Sequence, residues 1–160
     1  MNKLNVVATI GAAAVISAMG VTYAAADDGH GATQQRVLHL TDQQTQNAQI
    51  GAPNPDSLLG LRFVGADDIF NQSRLVGHAG RSCEAVADLN EQGVRFQCVV
   101  TLTLEDGSIT AQALPTFTPE GLVDFEMAIT GGTGAYRHAR GFIAVDQVTQ
   151  TESHLTVDLR

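Results

Sequence analysis

The most distinctive chemical signal in the sequence is the glycine-rich segment Gly131-Gly132-Thr133-Gly134, which follows an alternating stretch and precedes Tyr136 and Arg140. A glycine-rich turn after a strand can cradle the phosphates of a dinucleotide in a βαβ unit. Here no helix-forming sequence follows the turn, and too few residues remain for the rest of such a fold. The segment therefore predicts a tight turn between two strands, in which glycines supply positive φ angles.

Arg140 and Tyr136 are the candidate catalytic residues beside this turn. An arginine at a barrel mouth can stabilise an oxyanion or bind a carboxylate, and the alternative is a solvated or ion-paired surface residue. His39 and His78 are candidates for general acid or base catalysis. For each of them the alternative is a structural histidine. The residues alone leave the catalytic group open.

The histidines do not indicate a metal site. The chain has five, and none pairs with another at the spacing of metal ligands. They are His30, His39, His78, His138 and His154. We therefore expect no metal and no cofactor.

Residues 1–26 have the pattern of a signal peptide. Lys3 provides the positive start, and an uncharged, alanine-rich run extends from Leu4 to Ala26. Ala24 and Ala26 are the small residues that precede a cleavage site, so we expect cleavage after Ala26. A retained membrane anchor is the alternative, and the run is marginal for a membrane span. The sequence thus predicts a secreted, extracellular protein.

After cleavage we expect a flexible N-terminal arm over residues 27–36 and one β-barrel domain over residues 37–160. This remainder of roughly 130 residues has the size of one domain with one core. The whole chain has 9 basic and 17 acidic residues, and its only lysine, Lys3, lies in the predicted signal peptide. The negative charge makes nucleic acid and anionic membranes unsuitable partners for the mature protein.

The mature sequence alternates between apolar and polar residues, which is the pattern of β-strands with one buried face. The alternation is clearest over residues 94–104, and it returns at 123–129 and 155–159. Residues 41–50 could form a short helix at best. We predict strands near 37–41, 60–68, 74–80, 83–88, 93–104, 108–114, 122–129 and 140–149, with a last stretch at 152–159 that could merge with its neighbour.

Short turns join nearly all of these strands. Many short antiparallel strands in one small domain predict an all-β fold, either a sandwich or a barrel. Because the connections have hairpin length, an eight-stranded antiparallel up-and-down β-barrel is the favoured arrangement.

Two cysteines, Cys83 and Cys98, lie in a chain bound for an oxidising compartment, where an even number favours a disulfide bond. Opposed residues of an antiparallel ladder have a constant sum of residue numbers. Cys83 with Cys98 and Asp88 with Gly93 have the same sum, so a hairpin with a four-residue loop would place the cysteines opposite each other. We expect a Cys83–Cys98 disulfide.

The segment from Ala128 to Gly141 resembles the allene oxide cyclase and dirigent protein superfamily. Its members carry an Ile-Thr-Gly-Gly-Thr-Gly turn, an aromatic residue, and then Ala-Arg-Gly before the next strand, as here. Val76-Gly77 followed by Cys83, and Leu104 to Gln112, are similar to further cyclase motifs, and the likeness runs from about residue 37 to 159. The resemblance implies an eight-stranded antiparallel barrel with a lipophilic cavity, in a secreted, bacterial-type member.

The resemblance also implies positions for chemistry. In plant cyclases a Glu and an Asn on the first strand polarise the epoxide substrate, and His39 and Thr41 occupy those positions here. The cyclase cysteine that faces the cavity matches Cys83. Arg140 matches a dirigent arginine thought to orient or protonate a quinone methide, whereas Ala135 replaces the acidic residue that dirigent proteins carry there.

Two hypotheses for function follow. The first is a secreted barrel that binds a small lipophilic molecule and acts as an isomerase, a cyclase or a dirigent-like stereo-directing protein. The second is a non-catalytic extracellular carrier or protein-interaction module. Inward ionisable side chains with shifted pKa would favour catalysis, and a wholly apolar cavity would favour a carrier. Plant relatives are often trimers, so the resemblance also implies a homo-oligomer. The candidate ligand-binding residues are Phe96, Phe125, Met127 and Arg140.

Overall fold

A computed structural model of the chain describes residues 35–51 and 57–160. The predicted signal peptide, its cleavage site after Ala26 and most of the predicted arm lie outside these residues. Within the described ranges, no helix has the length and the apolar character needed to cross a membrane.

Ten β-strands and two short 3₁₀ helices form the described part of the chain. The strands are β1 (Arg36–Ile50), β2 (Arg62–Asn71), β3 (Arg74–Asp88), β4 (Val94–Leu104), β5 (Gly107–Ala113), β6 (Thr116–Thr118), β7 (Gly121–Leu122), β8 (Phe125–Gly132), β9 (Gly141–Gln147) and β10 (Glu152–Leu159). The 3₁₀ helices are Asn90–Gln92 and Gly134–Tyr136.

Eight of these strands close into a barrel. Their order around it is β3-β2-β1-β10-β9-β8-β5-β4, and β4 pairs with β3 to complete the circle. All pairings are antiparallel, and the short hairpin of β6 and β7 lies beside β4. Each barrel strand lies next to the barrel strands that precede and follow it in sequence. These pairings confirm the predicted eight-stranded antiparallel up-and-down barrel.

The strand boundaries differ from the prediction in several places. The predicted strand 122–129, for example, is divided between β7 and β8. Residues 41–50 form the second half of β1 instead of a helix, because β2 pairs with nearly all of it and tertiary pairing overrides weak local preference. The predicted strands 74–80 and 83–88 are one strand, β3, which is held by β2 on one side and β4 on the other. Strands β9 and β10 remain separate.

Alternate residues of each barrel strand point inward and form the core. The main cluster contains side chains from all around the barrel, among them Leu40, Ile69, Leu102, Ile109, Ile143 and Val157. A second, smaller cluster surrounds the two cysteines and contains Leu61, Ala85, Val94 and Phe96. Aliphatic side chains therefore fill most of the barrel interior.

Cys83 of β3 and Cys98 of β4 lie directly opposite each other and form the expected disulfide bond. Both cysteine side chains are buried in the second, smaller cluster. The hairpin loop is longer than predicted, because Asp88 pairs with Val94 and not with Gly93. An irregularity in β3 between the disulfide and the loop changes the sum of residue numbers by one.

The glycine-rich segment forms a tight turn that packs against the hairpin between β4 and β5. Gly134 has a φ of +58°, and a Cβ there would lie 2.3 Å from the carbonyl oxygen of Asp106. The N–H of Ala135 donates to that same oxygen at 2.9 Å. A side chain at position 134 would disrupt this contact, so the glycine has a structural role.

Candidate functional site

The inner face of β1 changes from apolar to polar halfway along the strand. Leu38 and Leu40 belong to the main core or pack against it, and the alternation of the strand places Asp42 and Gln44 on the same face. Asp42 is opposed by Ile69 of β2, which is fully buried. The fold thus places a carboxyl group inside the barrel, next to an apolar layer.

Asp67 of β2 and Arg81 of β3 extend this polar region. Arg81 donates hydrogen bonds to the Asp67 carboxylate and to the side-chain oxygen of Gln44. The Asp67 side chain is 1% exposed and the Arg81 side chain is 24% exposed, so the ion pair is largely shielded from bulk water. We call Asp42, Gln44, Asp67 and Arg81 the interior polar cluster.

The carboxyl group of Asp42 titrates near neutral pH. Burial raises its pKa from the ordinary value of 3.8 to about 7, and the negative charge of Asp67 acts in the same direction. The positive charge of Arg81 opposes both effects. A carboxyl group with this pKa can donate or accept a proton at neutral pH, which is the property required of a general acid or base.

A small cavity lies at one mouth of the barrel. Its volume is about 110 Å³, and its walls include Leu38, Leu40, Val76 and Tyr136. Arg36 also lines the cavity, with its guanidinium carbon 5.7 Å from the centre of the Tyr136 ring. Pockets for drug-sized ligands measure about 300 to 1,000 Å³, so this cavity holds only a small chemical group unless its walls move.

Tyr136 and Arg140 occupy different environments. Tyr136 is buried and lines the cavity. Arg140 is exposed, and its backbone carbonyl accepts a hydrogen bond from the N–H of Arg160 at 2.9 Å. The structure therefore brings one of these two candidates into the cavity and leaves the other on the surface.

The two candidate histidines lie on the outer surface of the barrel. The Nδ1 atom of His39 is 3.4 Å from the hydroxyl oxygen of Thr156, and Thr41 has the same outward phase along β1. His78 pairs with Asp68, at 2.9 Å between Nδ1 and Oδ1. Among the described residues, no group of three or more His, Cys, Asp or Glu side chains is placed to hold a metal ion.

The candidate ligand-binding residues lie in two separate parts of the core. Phe96 is next to the disulfide, with its ring centre 5.5 Å from that of Phe63 and 5.0 Å from that of Phe117. Phe125 and Met127 of β8 belong to the main cluster or pack against it. The walls of the cavity at Tyr136 do not include these three candidates.

The candidates predicted from the sequence do not include Asp42, Asp67 and Arg81. A signal for them exists, because each has the inward phase of its strand. Asp42 follows Leu38 and Leu40 at intervals of two, and Arg81 lies midway between Ala79 and Cys83. A charged residue at an apolar phase is an exception to the alternation, and such exceptions indicate functional or ion-paired residues.

Comparisons with known proteins identify relatives of this barrel. The sequence model of the family described as "Allene oxide cyclase barrel like domain" matches residues 37–159. A solved pyocyanin demethylase has 28% sequence identity and a TM-score of 0.67, over 77% of this chain and 99% of that one. A comparison with curated protein sequences finds no match.

Two further solved structures share the fold at lower identity. One is an exo-specific intermolecular Diels-Alderase, with 22% identity and a TM-score of 0.64 over 81% of this chain and 98% of that one. The other is a pterocarpan synthase dirigent protein, with 20% identity and a TM-score of 0.61 over 79% of this chain and 86% of that one.

Proposed function

The chain belongs to the family of allene oxide cyclase barrel-like domains, and from that premise we propose that it binds a small lipophilic molecule and catalyses its isomerisation or cyclisation. The observation that carries this proposal is Asp42, a carboxyl group inside the barrel whose pKa burial raises to about 7. A carrier would have an apolar interior and would not need an inward ionisable group of this kind.

Asp42 is the proposed general acid. In the proposed step its carboxyl group gives a proton to an oxygen atom of the substrate and becomes a carboxylate. The carboxylate then recovers a proton from the rearranged product. Because the net reaction is an isomerisation, it needs no oxidant and no second reactant. Preorganised proton transfer of this kind contributes about 10² to 10⁴ in rate.

Asp67, Arg81 and Gln44 are the proposed supporting residues. Arg81 donates to both Asp67 and Gln44, and this arrangement holds its charge beside Asp42. The charge of Asp67 favours the protonated form of Asp42, whereas that of Arg81 favours the carboxylate. Burial is the main cause of the raised pKa of Asp42, and the two charges modify that pKa in opposite directions.

The cavity at Tyr136 is the proposed entrance for the ligand. Leu40 lines this cavity, and Asp42 lies two residues further along the same inner face of β1. Asp42 does not line the cavity, and the residues next to it on the inner faces of β1 and β2, Leu40 and Ile69, are both buried. The proposal therefore requires Leu40 to change rotamer when a ligand enters, which enlarges the cavity toward the interior polar cluster.

The chemical class of the ligand follows from the walls and from the relatives. The walls combine aliphatic side chains and the Tyr136 ring with charged residues such as Arg36 and Glu105, which suits an amphipathic molecule. The pyocyanin demethylase, the Diels-Alderase and the dirigent protein are named for reactions of small molecules. These names support a small-molecule substrate for the present barrel.

A second candidate function is a non-catalytic carrier or protein-interaction module. The filled interior favours the interaction module, because a cavity of about 110 Å³ does not admit a large ligand without movement. In that case the interior polar cluster would serve only to stabilise or specify the fold.

We also propose that the protein acts after export and without a bound cofactor. The signal-peptide pattern of residues 1–26 supports export, and the Cys83–Cys98 disulfide suits an oxidising compartment. The homo-oligomer implied by the resemblance is part of the same proposal, and sedimentation of the mature protein tests it.

A ligand panel tests the proposed function. The wild type and Asp42→Asn are mixed with fatty acids, phenols and pyocyanin, with binding followed by calorimetry and conversion by NMR. Asp68→Asn is the matched control, because it removes the same charge from the next strand on the outer surface. We expect Asp42→Asn to keep binding and to lose conversion about 100-fold or more, while the control keeps both. Uptake without conversion in the wild type would favour a carrier, and uptake of no compound would favour a protein-interaction module.

A further inference from the structure

Gly65 of β2 lies directly opposite Arg81 of β3 in the barrel wall. Its backbone is not in the left-handed region, so any residue could adopt the same conformation. A Cβ at this position would nevertheless lie 2.8 Å from both Cζ and Nη2 of Arg81, and 2.9 Å from the backbone oxygen of Gln46. The guanidinium group thus occupies the space that a side chain at position 65 would take.

The space left by the missing side chain of Gly65 allows Arg81 to reach groups on two other strands. The guanidinium group extends past Gly65 to Asp67 of the same strand and to Gln44 of β1. Gln44 opposes Asp67 in the ladder between β1 and β2. The missing side chain therefore leaves open a path across two strands, from Arg81 to the inner face of β1.

We propose that Gly65 is a positioning residue, whose missing side chain seats the Arg81 guanidinium group between Asp67 and Gln44 and beside Asp42. The inference rests on the proposed function only for its relevance to catalysis, because the placement of Arg81 can be measured without a substrate.

The protonation of Asp42 reports where the guanidinium group lies. The charged groups that act on Asp42 are Asp67 of β2, which raises its pKa, and Arg81 of β3, which lowers it. The groups that face it from β10 and β2 are Ser153 and Ile69, which carry no charge. Displacement of Arg81 therefore raises the pKa of Asp42 further.

Gly65→Ala tests the proposal, with Gly80→Ala as the matched control. Gly80 lies next to Arg81 on β3, and a Cβ there has no atom within 4 Å. The carboxyl carbon of Asp42 is titrated by NMR in each variant, with Asp42→Asn used to assign its signal. We expect the midpoint to rise by about one pH unit in Gly65→Ala and to stay unchanged in Gly80→Ala.

A double-mutant cycle separates this role from a purely structural one. The shorter side chain of Arg81→Gln does not reach the new Cβ, so Gly65→Ala should have little further effect on the Asp42 midpoint in that background. The new Cβ at position 65 would contact the backbone oxygen of Gln46 with either residue at position 81, so the double-mutant cycle cancels the effect of this contact. Melting temperatures show whether each variant folds. If Gly65→Ala alone does not fold, folding of the double variant would itself support the clash with Arg81.

The outcomes distinguish this inference from the proposed function. Equal midpoints in Gly65→Ala and the wild type, or additive effects in the cycle, would overturn the positioning role even if Asp42→Asn abolishes turnover. A raised midpoint in Gly65→Ala would support it even if the ligand panel shows no turnover.

Discussion

Arg81 and Asp67 form an ion pair inside the barrel, between adjacent strands of its wall. Asp42 lies on the inner face of the neighbouring strand β1, and burial raises the pKa of its carboxyl group to about 7. Two carboxyl groups on neighbouring strands thus have different chemistry. This difference is the basis of the first two predictions.

Loss of Asp67 should destabilise the protein and make Asp42 more acidic. Asp67→Asn leaves the largely buried Arg81 without its anionic partner, which costs about 3 kcal/mol of unfolding free energy. The same change removes a negative charge that raises the pKa of Asp42, so that pKa should fall. Urea denaturation and the NMR titration of Asp42 measure the two effects. Asp68→Asn, which breaks an exposed pair with His78, should cost less than about 1 kcal/mol.

The contribution of Asp42 to the stability of the wild type should fall as the pH rises from about 4 to about 7. The pKa of Asp42 is about 7 in the folded protein and near 3.8 when unfolded, so the folded state binds more protons in this window. The stabilisation is complete below the unfolded pKa and is lost by the folded pKa, with an upper limit of about 4 kcal/mol. Asp42→Asn should remove this component. Parallel pH profiles of the two proteins by chemical denaturation would contradict the assignment.

The Cys83–Cys98 disulfide should stabilise the protein by about 3 kcal/mol, because it closes a loop of 15 residues in the unfolded chain. The Cys83→Ala, Cys98→Ala double variant should unfold at correspondingly lower denaturant concentration. Reduced wild type serves as the second comparison. Two free thiols in the native exported protein, counted by alkylation and mass spectrometry, would show that the bond does not form.

Substitutions of Arg36 and of Arg140 should have different effects on the affinity for acidic ligands. The sequence points to Arg140, but Arg36 is the arginine whose guanidinium group lies over Tyr136 at the cavity. We expect Arg36→Ala to weaken the binding of a fatty acid about fivefold, equivalent to about 1 kcal/mol. Arg140→Ala should leave both the affinity and the melting temperature unchanged. Calorimetry with both variants decides between the two positions.

The exported protein should begin at Asp27, since cleavage is expected after Ala26. Intact-mass measurement of secreted material gives the first residue directly. A membrane-bound species that retains residues 1–26 would overturn the proposed localisation.

Most of the strands, the barrel class and the disulfide were predictable from the sequence. Alternation along residues 94–104 identifies a strand with one buried face, because successive side chains of a strand point to opposite sides. The Cys83–Cys98 pairing was also predicted correctly, although the loop is one residue longer than predicted and an irregularity in β3 offsets the difference. The turn at Gly134 was predictable from its glycines, which permit a backbone conformation that other residues avoid.

The position of the interior polar cluster depends on contacts between strands that are distant in sequence. Residues 41–50 have weak local preference, and their pairing with β2 makes them a strand that carries Asp42 inward. Asp42, Asp67 and Arg81 are distant in sequence and meet only because β1, β2 and β3 are neighbours in the closed barrel. The width of the cavity depends on how side chains from all eight strands fill the interior. Such contacts between distant residues are set by barrel closure, which no local pattern of the sequence contains.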